Sequence, residues 1–272
     1  MAITSMDGVV AALATSQRLN FSFPNMTTVA GNYYNLSFAS AGSYGQISLP
    51  TAASSGGQAY TQGGTGGLGY PVWTAASGGN TSYIGKISAS CIAQLGVFVY
   101  DLLWACSGFS GTVTTPQTIT GFTALPTRAG GSGSEIWLVV YTALGASAPN
   151  VTVSYTNQNG TSGRTTQTMN ASSLNLAGRC VPLILQAGDT GVQSIQSVIL
   201  YASSGTAGNF GLMIVNRIAS VGSFGTYTPN AGYDFATLGL PVIYDSSVLF
   251  FTVIASASSS GIILGDITVV QG

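Results

Sequence analysis

The side chains that could do acid–base or nucleophilic chemistry are few in this chain and widely separated. Its 272 residues include no histidine, so neither a serine–histidine pair nor an imidazole base is available. Glycoside hydrolysis needs two carboxylates that flank one bond. The seven acids occur singly along the sequence, as Asp7, Asp101, Glu135, Asp189, Asp234, Asp245 and Asp266. We therefore predict that the chain has no catalytic site and is not an enzyme.

Metal and cofactor sites are not predicted either. The three cysteines, Cys91, Cys106 and Cys180, match no zinc-binding spacing, and there is no histidine to complete one. We expect buried free thiols, with one disulfide plus one free thiol as the alternative. Glycine-rich fragments of the GxGxxG type occur without a surrounding strand, turn and helix, so they predict no nucleotide site.

Nucleic acid and membrane are also unexpected partners. Six basic residues spread over the whole chain cannot form the usual phosphate-binding surface. The longest apolar stretch, residues 92–106, is interrupted by Asp101. The run at residues 248–257 is about half the length of a helical membrane crossing.

Asp101 is the most unusual acid because it lies within the apolar segment VYDLLW. A carboxylate in an apolar strand needs a partner. Arg128, Arg164 and Arg179 are the candidates, and we name the pair Asp101–Arg128. The sequence favours a structural ion pair over a catalytic acid at this position.

Low charge is the strongest compositional signal. Charged residues make up 5% of the chain and the formal net charge is −1, whereas ordinary soluble domains have about 25% charged residues. A surface with so little charge promotes association. We therefore expect a homo-oligomer, specifically a homotrimer, whose surface is covered by neighbouring subunits.

Short apolar runs separated by Gly, Ser and Asn turns predict an all-β fold, an antiparallel β-sandwich or jelly roll. The predicted strands include residues 82–90, 119–125 and 135–143, the last of which contains the apolar run WLVVY. One helix is predicted at residues 5–19, with Ser5 as its N-cap. The glycine-rich residues 54–69 are expected to form an extended arm outside the sandwich. The predicted division is residues 1–81 for the helix, first strands and arm, 82–218 for the sandwich core, and 219–272 for C-terminal strands that complete the sandwich or contact neighbours.

Aromatic side chains are concentrated among small polar residues in the first third of the chain. Tyr and Trp in such surroundings favour contact surfaces, either for carbohydrate or for a neighbouring subunit, and we favour the subunit. Together with one face of the helix they form the predicted inter-subunit contacts: Val9, Leu13, Tyr33, Tyr34, Tyr60, Tyr70 and Trp73.

Three segments have distinctive amino-acid sequences: YDLLWACSGFSGTVTTPQT at residues 100–118, EIWLVVYTALGASAPNVTVSYTNQNGTSGRTT at 135–166, and LQAGDTGVQSIQSVILYASSGTAGNFGLMIVNRIA at 185–219. In these segments the chain resembles an uncharacterised family of virion structural proteins from tailed bacteriophages. The resemblance implies a virion component that is assembled in the host bacterial cytoplasm and contacts the major capsid protein.

Within that class, the resemblance implies first a head decoration or cement protein that bridges capsid subunits. A tail or baseplate component is the alternative. The rival from a different class is a carbohydrate-binding protein that recognises the host receptor, and a phage glycan hydrolase comes third.

Overall fold

The fold is all-β with antiparallel strand pairing and a short N-terminal helix, as the sequence predicts. It is seen in a computed structural model that describes residues 3–38, 47, 50, 56–63, 71–170, 174–224 and 231–272. The elements are α1 (Met6–Ala14), β1 (Gln17–Phe23), β2 (Tyr33–Asn35), β3 (Gln58–Ala59), β4 (Ser82–Ser90), β5 (Gln94–Ala105), β6 (Gln117–Thr118), the 3-10 turn η1 (Thr127–Ala129), β7 (Ser134–Thr142), β8 (Asn150–Asn157), β9 (Arg164–Thr165), β10 (Met169–Asn170), β11 (Arg179–Leu183), β12 (Val192–Leu200), β13 (Asn209–Phe224), β14 (Ala231–Asp234), α2 (Phe235–Leu238), β15 (Val242–Ile243), β16 (Leu249–Ala255) and β17 (Ile263–Gln271).

The chain divides into two compact units, and the division differs from the predicted one. The first contains the described residues of Met1–Ile47, Gly67–Tyr100 and Ile218–Gly272, and the second those of Ser48–Gly66 and Asp101–Arg217. The two ends of the chain belong together because β17 pairs antiparallel with both β1 and β4. The closing strands β14, β15 and β17 therefore all pair with β4, and β17 also pairs with the N-terminal strand β1.

In the first unit, one sheet has the order β1-β17-β4-β14, with β15 also paired to β4. The helix α1 packs on it through Ala12, which contacts Tyr83 and Val270. On the opposite face, alternate side chains of β1 are buried, and the rings of Phe21 and Phe23 lie 4.8 and 5.4 Å from that of Phe251.

The second unit is a β-sandwich. One sheet has the order β10-β8-β12-β6, with β9 paired to β8, while β7 pairs with both β11 and β13. Alternate residues of β7 and β8 point into a shared apolar core. Its members from these two strands are Ile136, Leu138, Val140, Val151, Val153 and Tyr155.

The predicted helix at residues 5–19 is shorter than expected. The Ser5 side chain accepts a hydrogen bond from Gly8 N at 3.1 Å, as an N-cap should, but the helix ends at Ala14. The following segment, Gln17–Phe23, is β1 because its buried alternate residues pair with β17. Neither α-helix in the described part of the chain has the length and apolar character needed to cross a membrane.

Candidate functional site

The structure brings Asp101 and Arg128 together in a buried ion pair. Arg128 Nε donates to Asp101 Oδ2 at 2.8 Å, and Nη2 donates to Oδ1 at 3.1 Å. Arg128 lies on η1, and Asp101 lies in β5; only 8% and 4% of their surfaces are exposed. This bidentate geometry is the strongest form of a protein ion pair. In such surroundings it holds backbone segments together.

The same guanidinium also binds the backbone of the glycine-rich segment, which belongs to the second unit. Its Nη2 also donates to the carbonyl oxygens of Tyr60 at 2.7 Å and Leu102 at 3.0 Å. The segment of residues 56–63, called the strap below, pairs with β5 through Gln58 and Ala59. Arg128 therefore connects the strap, β5 and η1 at one point.

The strap corrects the expectation that residues 54–69 form an arm outside the sandwich. Tyr60 is fully buried, and its amide donates to Leu103 O at 3.0 Å. Gly57 lies so close to Trp104 that a Cβ atom there would overlap the indole ring. The strap is thus part of the fold because Tyr60 supplies the large apolar anchor that glycine and serine lack. The other residues of 54–69 lie outside the described part of the chain.

A second polar cluster surrounds Asp189. Its carboxylate accepts hydrogen bonds from the Tyr155 hydroxyl at 2.6 Å, Asn157 Nδ2 at 2.8 Å, and Arg164 Nε and Nη2 at 2.8 and 3.1 Å. The bonds from Arg164 are the main cause that lowers the pKa of Asp189 to about 2. Burial, together with the hydrogen bond to Asp189, raises the pKa of Tyr155 to about 12. The cluster attaches the loop before β12 to β8 and β9.

Four of the other five carboxylates also accept hydrogen bonds from their own chain. Glu135 Oε2 accepts from Trp137 Nε1 at 2.8 Å, and Asp234 caps α2 by accepting from the amides of Ala236 and Thr237. Asp245 accepts from the Ala76 amide and the Ser82 hydroxyl. Asp266 accepts from the Ser88 hydroxyl. Asp7 lies in the first turn of α1, where the helix dipole favours an acid.

Most of the residues expected to contact neighbouring subunits are instead buried within their own chain. The exposed fractions are 5% for Val9, 0% for Tyr34, 0% for Tyr60 and 3% for Trp73, so these four are core residues and the expectation is wrong for them. Leu13 is partly buried in the packing of α1 on its sheet, and the ring of partly buried Tyr33 lies 5.8 Å from that of Phe98. Tyr70 lies outside the described residues.

The large apolar side chains that are exposed belong to other residues, which the sequence analysis did not predict. Twelve large apolar or aromatic side chains of the described residues are exposed: Met6, Val10, Val29, Val72, Ile92, Val113, Ile184, Tyr201, Val242, Tyr244, Ile262 and Leu264. Met6 and Val10 are 62% and 60% exposed, and they are one helical turn apart. Their spacing was a usable signal, but the sequence does not say which face of an apolar helix meets its own sheet.

The cysteines, all in described ranges, are buried and form no disulfide with one another. The Sγ atom of Cys91 donates to Ala93 O at 2.5 Å. Burial is the main cause that raises the pKa of Cys106 to about 12, and it also raises the pKa of Cys180. A thiol with a raised pKa is a poor nucleophile at neutral pH.

An open cleft of about 490 Å³ lies beside the Asp189 cluster in the second unit. It is lined by the start of β7, by Gln167 and by residues 182–190. None of the described residues that line it is aromatic.

No protein-family profile matches the chain, and no curated protein matches it. Similar solved structures include T=1 particles derived from infectious bursal virus, at 10% identity and a TM-score of 0.21, over 94% of this chain and 77% of that chain. The VP2 subviral particle of infectious bursal disease virus aligns at 10% identity and a TM-score of 0.20, over 94% and 80%. Alignments with such TM-scores do not establish a common fold, so they carry no functional conclusion.

Proposed function

We propose that this chain is a non-enzymatic structural protein of a tailed-phage virion. Specifically, we propose a head decoration or cement protein that binds the major capsid protein and further copies of itself. The observation that carries the proposal is the placement of charge and apolar surface. Six of the seven acids contact atoms of their own chain, while large apolar side chains are exposed.

This placement is typical of a subunit that is covered by neighbours. An isolated soluble protein disperses by exposing charge, and this chain has few charges to expose. Exposed apolar side chains become favourable when a partner buries them, at about 25 cal/mol for each Å². The resemblance to virion structural proteins supplies the kind of particle, and the surface supplies the physical reason for assembly.

The non-enzymatic part of the proposal rests on what the carboxylates already do. Asp101 and Asp189 each hold a bidentate arginine, Asp234 caps a helix, and Glu135 holds an indole. A carboxylate held in this way keeps its position against its own chain, whereas a general acid or base must reach the proton that it transfers on a substrate. Hydrolysis of host polysaccharide by the purified chain, lost when one acid is changed, would refute this part.

The location in the virion is tested by counting copies. Mass spectrometry of purified particles with isotope-labelled peptides gives the copy number, and a cryo-EM map gives the position. We expect hundreds of copies on the head, because a lattice protein follows the capsid symmetry. A handful of copies at the tail tip would favour the tail or baseplate alternative. Absence from the particle would overturn the proposal altogether.

A further inference from the structure

The outer face of α1 is formed by Met6, Asp7, Val10, Ala11 and Ala14, all of which are exposed, and Asp7 in the first turn is its one polar side chain. The inner face is apolar, since Val9 and Ala12 are 5% and 6% exposed. A helix on the surface of a monomer normally has a polar outer side. A helix whose outer side is also largely apolar is expected where a second surface covers it.

Two exposed charges lie near the two ends of this outer face, one at each end. Asp7 lies in the first turn of α1, and Arg18 follows the helix as the second residue of β1. Arg18 pairs with Thr268, which lies on the same face of β17 as Val270, the residue that contacts Ala12 of the helix. Arg18 is therefore on the sheet face that α1 covers. Among the described residues, neither charge is in a salt bridge.

We infer that the outer face of α1 binds the same face of a second copy of this chain in an antiparallel, two-fold contact. A two-fold axis beside Val10 places the Asp7 end of one helix next to the Arg18 end of the other. The nine residues of α1 span about 13 Å, so the two charge pairs enclose the apolar centre. Ala11 and Ala14 are small enough for the helices to approach closely.

Self-complementarity is the reason to choose a second copy. A surface with an acid at one end, a base at the other and apolar residues between matches itself after a two-fold rotation. A membrane surface would favour basic residues around the apolar face, whereas here an acid lies within its first turn. The inference deepens the proposed assembly role, and a two-fold contact can join one homotrimer to another within a lattice.

The experiment uses charge exchange in the full chain, with self-association measured by sedimentation equilibrium. We expect Asp7→Arg and Arg18→Asp each to raise the dissociation constant by about tenfold, because each creates two like-charge contacts. The double variant Asp7→Arg/Arg18→Asp restores opposite charges in both pairs, so its dissociation constant should return close to that of the wild type. Val10→Glu should abolish the contact, and Val113→Glu, an exposed loop position in the other unit, is the matched control.

Circular dichroism and thermal melting confirm that each variant is folded. The two-fold arrangement would be overturned if the single charge variants had the wild-type dissociation constant. It would also be overturned if the dissociation constant of the double variant did not return toward the wild-type value. Binding of the chain to anionic vesicles, lost with Val10→Glu, would also overturn it in favour of a membrane. A wild-type chain that is monomeric at all concentrations yet binds phage heads would refute this inference alone. A chain that self-associates as expected but is absent from virions would refute the proposed function alone.

Discussion

Removal of the Arg128 guanidinium is the sharpest test of how this fold is held together. The substitution Arg128→Met keeps most of the side-chain volume and removes four hydrogen bonds, two to Asp101 and one each to Tyr60 O and Leu102 O. It also leaves the 4% exposed Asp101 without the cation that faces it. Breaking a buried ion pair by removing one partner costs about 3–5 kcal/mol. We expect a loss of that size in the free energy of unfolding.

A double-mutant cycle separates the ion pair from simple loss of packing. Asp101→Leu alone should also destabilise the chain strongly, because it leaves a buried guanidinium unpaired. Asp101→Leu combined with Arg128→Met removes both charges, so the double variant should be more stable than either single variant. Urea is the suitable denaturant, because it does not screen charge as guanidinium does.

Arg164→Met is the matched control for this cycle. Arg164 holds Asp189 in the same bidentate geometry, but its side chain is 25% exposed to solvent. Water screens such a pair, so we expect a clearly smaller loss of stability than for Arg128→Met. The reasoning would be refuted if the losses in unfolding free energy of the two single variants simply added in the double variant. It would also be refuted if Arg128→Met and Arg164→Met lost the same stability, because burial would then not strengthen the Asp101–Arg128 pair.

Three further outcomes are expected. The pKa of Asp189 is lowered from 3.8 to about 2, so its contribution to stability is complete above pH 3.8 and is lost as the pH falls through about 2. Asp189→Asn should remove this acid dependence from unfolding curves recorded between about pH 5 and about pH 1.5. Ellman's reagent should label no cysteine in the folded chain at about pH 8 and all three in urea, because the three thiols are buried and the pKa of Cys106 is raised to about 12. Rapid labelling of the folded chain would contradict this expectation. Gly57→Ala should lower the melting temperature and make the strap sensitive to protease, because Gly57 has φ +66° and a Cβ atom there would overlap Trp104. An unchanged rate of proteolysis would show that the strap is held without this packing.

Local pattern was sufficient to predict most strands. The predicted strand at residues 82–90 is β4, and the WLVVY run predicted a strand at 135–143 where β7 covers Ser134–Thr142. Both segments have continuous or alternating apolar residues with turn residues on each side. Residues 119–125 were also predicted as a strand, but β6 covers only Gln117–Thr118. Gly121, at φ +70°, turns the chain there.

Long-range pairing was beyond the reach of the sequence. The assignment of strands to sheets needed information from distant residues, because β1 near the N-terminus and β17 near the C-terminus are neighbours in one sheet. Periodicity shows which residues of a strand face a core, but it does not show which distant strand completes the sheet. The end of α1 was misjudged for the same reason, since pairing with β17 makes Gln17–Phe23 a strand.

The candidate site shows both what burial can predict and where it stops. A carboxylate in an apolar strand must be paired, so an arginine partner for Asp101 was foreseeable, yet three arginines were candidates. The structure separates them through contacts that have no local signal: Arg164 holds Asp189, and Arg128 reaches Asp101 across 27 residues.

Tyr60 shows why composition misled the interpretation of the glycine-rich segment. Small residues around a tyrosine suggest a flexible arm with an exposed ring, and the same residues are also what a backbone needs to lie flat against an indole. Gly57 makes that close approach to Trp104, and the fully buried Tyr60 then anchors the chain three residues later. The physical difference between an arm and a strap is thus the presence of a complementary cavity, and only the folded chain contains it. Assembly surfaces in a chain with so little charge should therefore be sought among its exposed apolar residues, such as Met6 and Val10, rather than among buried aromatic residues such as Tyr34.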